Sequence, residues 1–128
     1  MIATDSSSLV VYLAGGRGED IDLLDEAIAA AQLVLPPMVL TEVMSAPGRG
    51  EEAGALLAGL PLLELTSGYW ERAGRLRGRV LAAGLTARLG DALIAQCCLD
   101  HDVPLIMRDR GFARFARHGL RLLPGPRR

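Results

Sequence analysis

Apolar positions fall into two patterns along this chain. Short continuous runs read as buried strands: Met1 to Thr4, Leu33-Val34-Leu35, Val103 to Met107 and Leu120 to Leu123. Leu62-Leu63-Glu64-Leu65 reads as a strand or extended segment. Between these runs the spacing is helical. Leu9 to Leu13 continues as a helical turn or two after the polar Asp5-Ser6-Ser7-Ser8. Glu19 to Gln32 sets Ile21, Leu24, Ala27, Ile28 and Ala31 on one face, with Asp20, Asp22, Asp25 and Glu26 as a solvated face. Further helices are predicted over Met38–Ser45 with Pro37 in the first turn, over Glu51–Leu60, from a Thr66 or Ser67 cap to Ala83, over Gly90–Leu99 and over Phe112–Arg117. Gly84 closes the long helix, Pro47 to Gly50 breaks the chain, and a short tail starts at about 124. Helices alternating with strands predict an α/β fold. We expect three layers, α/β/α, around a parallel sheet of about four or five short strands, in a single domain spanning 1–128.

Element lengths then bring acids together. A helix of about 11 residues and a strand of about 5 cover similar distances. The chain running down 90–99 and back up 103–107 therefore returns Asp91 and Asp109 to one edge, the carboxyl end of the strand. Open α/β sheets bind ligands there. Asp5 closes the first strand, and Glu42 lies about one turn into the helix that follows Leu33-Val34-Leu35. Taken alone, Asp5 is an ordinary helix cap and Glu42 an ordinary solvated side chain. Four carboxylates at one edge repel unless a hard cation binds them, and all-oxygen ligation suits Mg²⁺ or Mn²⁺. Such ions activate water and stabilise in-line displacement at phosphate.

Composition narrows the field. Half of the residues are apolar, yet no run is long enough to span a membrane, and the N-terminus carries no basic apolar leader, so a cytoplasmic protein is expected. Cys97 and Cys98 are adjacent on a helix and read as small core residues; their spacing suits neither a disulfide framework nor zinc. Gly15 to Gly18 lacks the Gly-Lys-Ser/Thr of a phosphate loop. Net charge is −1, but residues 1–64 hold ten acids and two arginines, while residues 65–128 hold five acids and twelve arginines. The arginine-rich half points to an anionic partner. Arg72, Arg75 and Arg79 recur at helical spacing with Arg77 close by, and Arg110, Arg114 and Arg117 follow Asp109. These are either a solvated stripe or a phosphate-contacting ridge. A cation pocket beside an arginine-rich surface points to a nucleic-acid substrate.

The order Asp5-Ser6-Ser7, Leu40-Thr41-Glu42-Val43, Gly90-Asp91-Ala92-Leu93-Ile94-Ala95 and Arg108-Asp109-Arg110-Gly111-Phe112 resembles a PIN domain. More narrowly, it is similar to the VapC toxins of type II toxin–antitoxin systems, across nearly the whole chain. The resemblance implies a metal-dependent endoribonuclease in which Asp5, Glu42, Asp91 and Asp109 hold one or two Mg²⁺ or Mn²⁺ ions. Ser7 matches a small polar residue near the metal. The resemblance also implies a homodimer and a VapB-like antitoxin partner. One position departs from the pattern: many relatives carry a second acid where this chain has Gly111. Two other readings stand beside the toxin, a housekeeping PIN nuclease for RNA processing and a catalytically silent PIN-like binding module. The silent module would be expected to lose one of the four acids, and none is missing. A receiver domain or aspartyl phosphatase also uses strand-end Asp residues but would want a Lys, and this chain has none.

Overall fold

The computed structural model describes residues 1–48 and 50–125, apart from the side chains of residues 50 and 52. Arg49, within the expected break, and residues 126–128, within the expected tail, lie outside the described residues. The elements in order are β1 (Ile2–Thr4), α1 (Ser6–Leu13), α2 (Glu19–Ala29), β2 (Leu33–Val34), α3 (Pro37–Met44), α4 (Gly50–Leu57), α5 (Tyr69–Ala82), α6 (Leu89–His101), β3 (Leu105–Ile106), a 3₁₀ turn (Arg110–Phe112), α7 (Ala113–Ala116) and β4 (Leu122–Leu123).

The four strands form one parallel sheet in the order β2-β1-β3-β4. Ala3 pairs with Leu105 and Thr4 with Ile106, so β1 and β3 run side by side at the centre. Their alternation sorts the core into two layers. Ala3, Val34 and Leu105 pack with α3, α5, α6 and the Phe112–Phe115 pair on one face. Leu33 and Ile106 pack with Ile21, Leu24 and Ala27 of α2 on the other. Cys97 and Cys98 are free thiols in the first of these layers, where burial pushes both upward in pKa, Cys97 to about 11.

Several boundaries differ from the sequence expectation, each for a local reason. Helix α1 starts at Ser6, because Asp5 caps it directly through the Ser8 backbone N–H. Helix α2 stops at Ala29, before Ala31 turns to a positive φ of 54°. The segment expected as a strand or extended segment over 62–65 is the latter, bridging to Leu35 at Leu62. Helix α5 is not capped by Thr66 or Ser67 but by Gly68 at φ 79°. Arg72 takes the Thr66 hydroxyl and the Ser67 carbonyl instead. Asp100 and His101, expected in a break, extend α6 to a left-handed Asp102.

Candidate metal centre

Asp5 leaves the central strand β1, and its backbone N–H donates to Ile106 across the sheet. Its side chain is buried and accepts from the Ser8 backbone N–H (2.8 Å), Ser7 Oγ (2.8 Å) and, more weakly, the Arg108 backbone N–H (3.3 Å). Burial raises its pKa, and these hydrogen bonds offset only part of that rise. Ser7 therefore orients an Asp5 oxygen.

Asp91 sits in the first turn of α6, half-buried. Its pKa is pushed up to about 6, first by burial and then by the charge of Asp109, with Glu42 and Asp5 adding to it and Arg88 opposing. One carboxylate thus feels all three of the others. Asp109 caps the 3₁₀ turn and accepts from the Gly111 backbone N–H at 2.8 Å. A Cβ on Gly111 would lie 3.1 Å from Asp109 Oδ1 and 3.7 Å from Asp91 Oδ2, so this glycine stands between the two acids. Glu42 is exposed on α3, and its Oε2 would lie 3.5 Å from a Cβ on Gly90, beside the start of α6.

The structure therefore brings Asp5, Glu42, Asp91 and Asp109 to one sheet edge. The donor set is carboxylate oxygen without His or Cys, which fits a hard divalent cation. Among the described residues no three His, Cys, Asp or Glu side chains are gathered into a tight metal cage.

Two features escaped the sequence pattern. Asp20 is not part of a solvated face: it is buried and forms a paired contact with Arg108, Nε–Oδ2 2.9 Å and Nη2–Oδ1 2.9 Å. Ser8 Oγ donates to it at 2.8 Å, and the Arg108 Nη2 also reaches the Arg17 carbonyl. Burial alone raises the Asp20 pKa, but the Arg108 and Ser8 hydrogen bonds reverse this and hold it below the usual range. Gly18, at φ 150°, permits the close approach, since a Cβ there would lie 2.6 Å from Arg108 Nη2.

The second feature is which arginines reach the acids. Arg72 is spent on Asp100, with Nε–Oδ1 3.0 Å and Nη2–Oδ2 2.7 Å, and joins α5 to α6. Arg75 and Arg79 are exposed, and none of this stripe lines the acidic pocket. Arg77, roughly half a turn of helix away from that stripe, does line it. So do Arg88 and Arg114, around a pocket of about 470 Å³ that holds Asp91 and Asp109. Helix phase was the available signal for Arg77. Arg110 lies instead in a groove on the other side of Asp109, with Arg17 and Arg121.

The PIN domain family matches residues 2–118. The chain belongs to the PIN-domain family. A comparison with curated proteins found no match. Among solved structures it is similar to VapBC2 from Rickettsia felis bound to a DNA fragment from their promoter, with 20% identity and a TM-score of 0.72 over 95% of this chain and 97% of that one. FitAcB from Neisseria gonorrhoeae gives 14% identity and a TM-score of 0.69 over 95% and 96%. VapBC-5 from Mycobacterium tuberculosis, a member of the VapBC family of toxin–antitoxin systems, gives 19% and 0.66 over 94% of each chain. At these identities the likeness is one of fold. In this chain Asp5 directly follows β1 and Asp109 follows β3, while Asp91 lies in the first turn of α6 and Glu42 on α3. No helix among the described residues is long and apolar enough to cross a membrane.

Proposed function

We propose that this PIN domain is a Mg²⁺- or Mn²⁺-dependent endoribonuclease that hydrolyses an RNA phosphodiester with water, and that it is the toxin of a toxin–antitoxin pair. The observation that carries the reading is Asp91: half-buried beside Asp109, with Glu42 and Asp5 near, and pushed up to about pKa 6 first by burial and then by the charge of Asp109. A buried acid surrounded by acids is costly for the fold alone and is repaid by a bound cation. Asp5, Asp91 and Asp109 would hold the ion, with Glu42 closing over it from α3. When bound, the ion supplies Lewis acidity that lowers the pKa of water and offsets charge on the phosphate. Asp5 contributes a fixed donor, because Ser7, Ser8 and Arg108 set its plane. Asp109 is aimed by the Gly111 N–H. Arg88, 4.0 Å from Asp109, places positive charge at the rim where an anionic substrate enters.

The toxin role is supported by the shared fold with the VapBC complexes and by the near-complete coverage of both chains. The reading includes a VapB-like antitoxin and a homodimer. Retention of all four acids weighs against a silent binding module. The test is cleavage of a labelled RNA: activity with Mg²⁺ or Mn²⁺, none with EDTA, and none from Asp5→Asn or Asp91→Asn. Cleavage by both variants at wild-type rates would remove the assigned site. Relief of toxicity by a short co-transcribed partner separates a toxin from a housekeeping nuclease.

A further inference from the structure

The segment joining α5 to α6 is held from both sides by arginines. Arg77 of α5 donates from Nε to the Ala87 carbonyl at 2.8 Å. Arg114 of α7 donates from Nη1 to the Thr86 carbonyl at 2.6 Å and to the Thr86 hydroxyl. Among the described residues, no acceptor meets Nη1 or Nη2 of Arg77, or Nε or Nη2 of Arg114. Both guanidinium groups line the pocket of about 470 Å³ that also contains Arg88, Asp91 and Asp109.

Arg88 is the residue this stapled segment presents. Its side chain is 84% exposed, and its closest carboxylate, Asp109 Oδ2, is 4.0 Å away, too far for a hydrogen bond. Arg88 is also the N-cap of α6, and no side chain caps that helix, so its first N–H groups add positive potential at the same place. Three guanidinium groups and a helix start thus surround one opening next to two acids. Arg77 and Arg114 each spend one edge on a backbone carbonyl of this segment rather than on Asp91 or Asp109, and Arg88 approaches Asp109 only to 4.0 Å.

We propose that this pocket is a phosphate subsite: Arg88, with the remaining guanidinium edges of Arg77 and Arg114, binds a non-scissile phosphate of the RNA beside the carboxylate centre. The subsite rests on the ribonuclease reading above. Arg88 makes the contact, and Arg77 and Arg114 both contribute donors and fix the segment that carries it. Planar guanidinium donors match phosphate oxygens in pairs, which an ammonium does not.

The test measures binding of a short fluorescent single-stranded RNA by anisotropy across a KCl series, in EDTA, with the full chain. Arg88→Ala is expected to weaken binding several-fold and to reduce the salt slope by about 0.7, the loss of one single-strand phosphate contact. Arg88→Lys should keep the slope and bind more weakly than wild type. Arg117→Ala, at an exposed arginine just after α7 and outside the pocket, should match wild type. A wild-type slope in Arg88→Ala overturns the subsite. A second probe separates this outcome from failure of the RNA reading: adenosine 3′,5′-bisphosphate, followed by the NMR signals of arginine Nε–H groups. If the protein binds no RNA but the bisphosphate shifts Arg77, Arg88 and Arg114, the phosphate site stands and the RNA substrate falls. If RNA binds and is cleaved while those three signals stay fixed, the subsite falls and the ribonuclease reading stands.

Discussion

Asp20 and Asp91 occupy equivalent places on their helices. Each lies in the first turn, where the helix dipole favours a carboxylate, and each has an arginine nearby. Their fates are opposite. Asp20 receives two hydrogen bonds from Arg108 and one from Ser8, and its pKa is lowered. Asp91 is half-buried beside Asp109, with Arg88 opposing and Glu42 and Asp5 adding, and its pKa rises to about 6, first through burial. The dipole is common to both, and so is burial, which raises both; what differs is that hydrogen bonds from Arg108 and Ser8 reverse the rise at Asp20, while the charge of Asp109 adds to it at Asp91. One acid is a brace that pins α1 and α2 to the segment leaving β3. The other is a carboxylate held against like charge, whose proton is retained to a higher pH.

Catalysis aside, the largest effects should come from removing each carboxylate and reading stability. Asp20→Asn breaks the paired contact with Arg108 and should lower Tm by about 5 °C, a shift of order 1 kcal/mol in a domain of this size. Asp91→Asn removes a repelled charge. About two pKa units would be near 3 kcal/mol, but the group is half-exposed, so solvent screening reduces the expected gain to about 1 kcal/mol at neutral pH. Thermal melts in EDTA check both, and two shifts of the same sign would break the comparison.

The pH dependence sharpens it. The folded pKa of Asp91 lies above its ordinary 3.8, so its contribution to stability is fully present below about pH 4 and is lost as pH rises through about 6. The folded pKa of Asp20 lies below 3.8, so its contribution is present above that value and is lost as pH falls through the lowered folded pKa. Asp91→Asn should therefore flatten the decline in wild-type Tm between pH 4 and 6, whereas Asp20→Asn should weaken the protein most at neutral pH and approach wild type in acid. Melts at a series of pH values give both limbs.

What the sequence made legible follows the same division. Asp5, Asp91 and Asp109 could be brought to one edge because strand ends and helix starts are local features, and element lengths fix where they return. Asp20 was hidden. It shares its helix with Asp22, Asp25 and Glu26, which are indeed exposed, and only a residue 88 positions away distinguishes it from them. The partner of Arg72 was hidden for the same reason, because Asp100 is on another helix. Arg88 carried no periodic signal at all, since its role comes from a segment stapled by Arg77 and Arg114. Periodicity reports which face of an element is apolar, and long-range ion pairs leave no mark on it.

Added Mg²⁺ offers a smaller effect. At about three times its Kd, an ion that binds the folded state alone stabilises it by about 0.8 kcal/mol. Wild-type Tm should rise with Mg²⁺, and the rise should shrink in Asp91→Asn while remaining intact in Asp20→Asn. An equal response in all three proteins would make Asp91 a helix-start residue with no part in binding.

The smallest expected effect concerns Gly111, the position where the resemblance to PIN domains led to the expectation of a further acid. A Cβ there would sit 3.1 Å from Asp109 Oδ1 and 3.7 Å from Asp91 Oδ2. Gly111→Ala therefore crowds Asp109 by a few tenths of an ångström and adds no charge. Gly111→Asp brings the same crowding but adds a carboxylate on the side of Asp91. Like charges so close raise one another's pKa, so the Asp variant should melt lower than the Ala variant in EDTA at neutral pH. With Mn²⁺ the order should reverse, because affinity for a hard cation grows with the number of anionic oxygens that reach it. Calorimetric titration with Mn²⁺ should then show a few-fold tighter binding, or a second equivalent, for Gly111→Asp alone. If Ala and Asp behave alike, position 111 faces away from the ion, and the bound cation sits nearer Asp5 and Glu42 than Asp109.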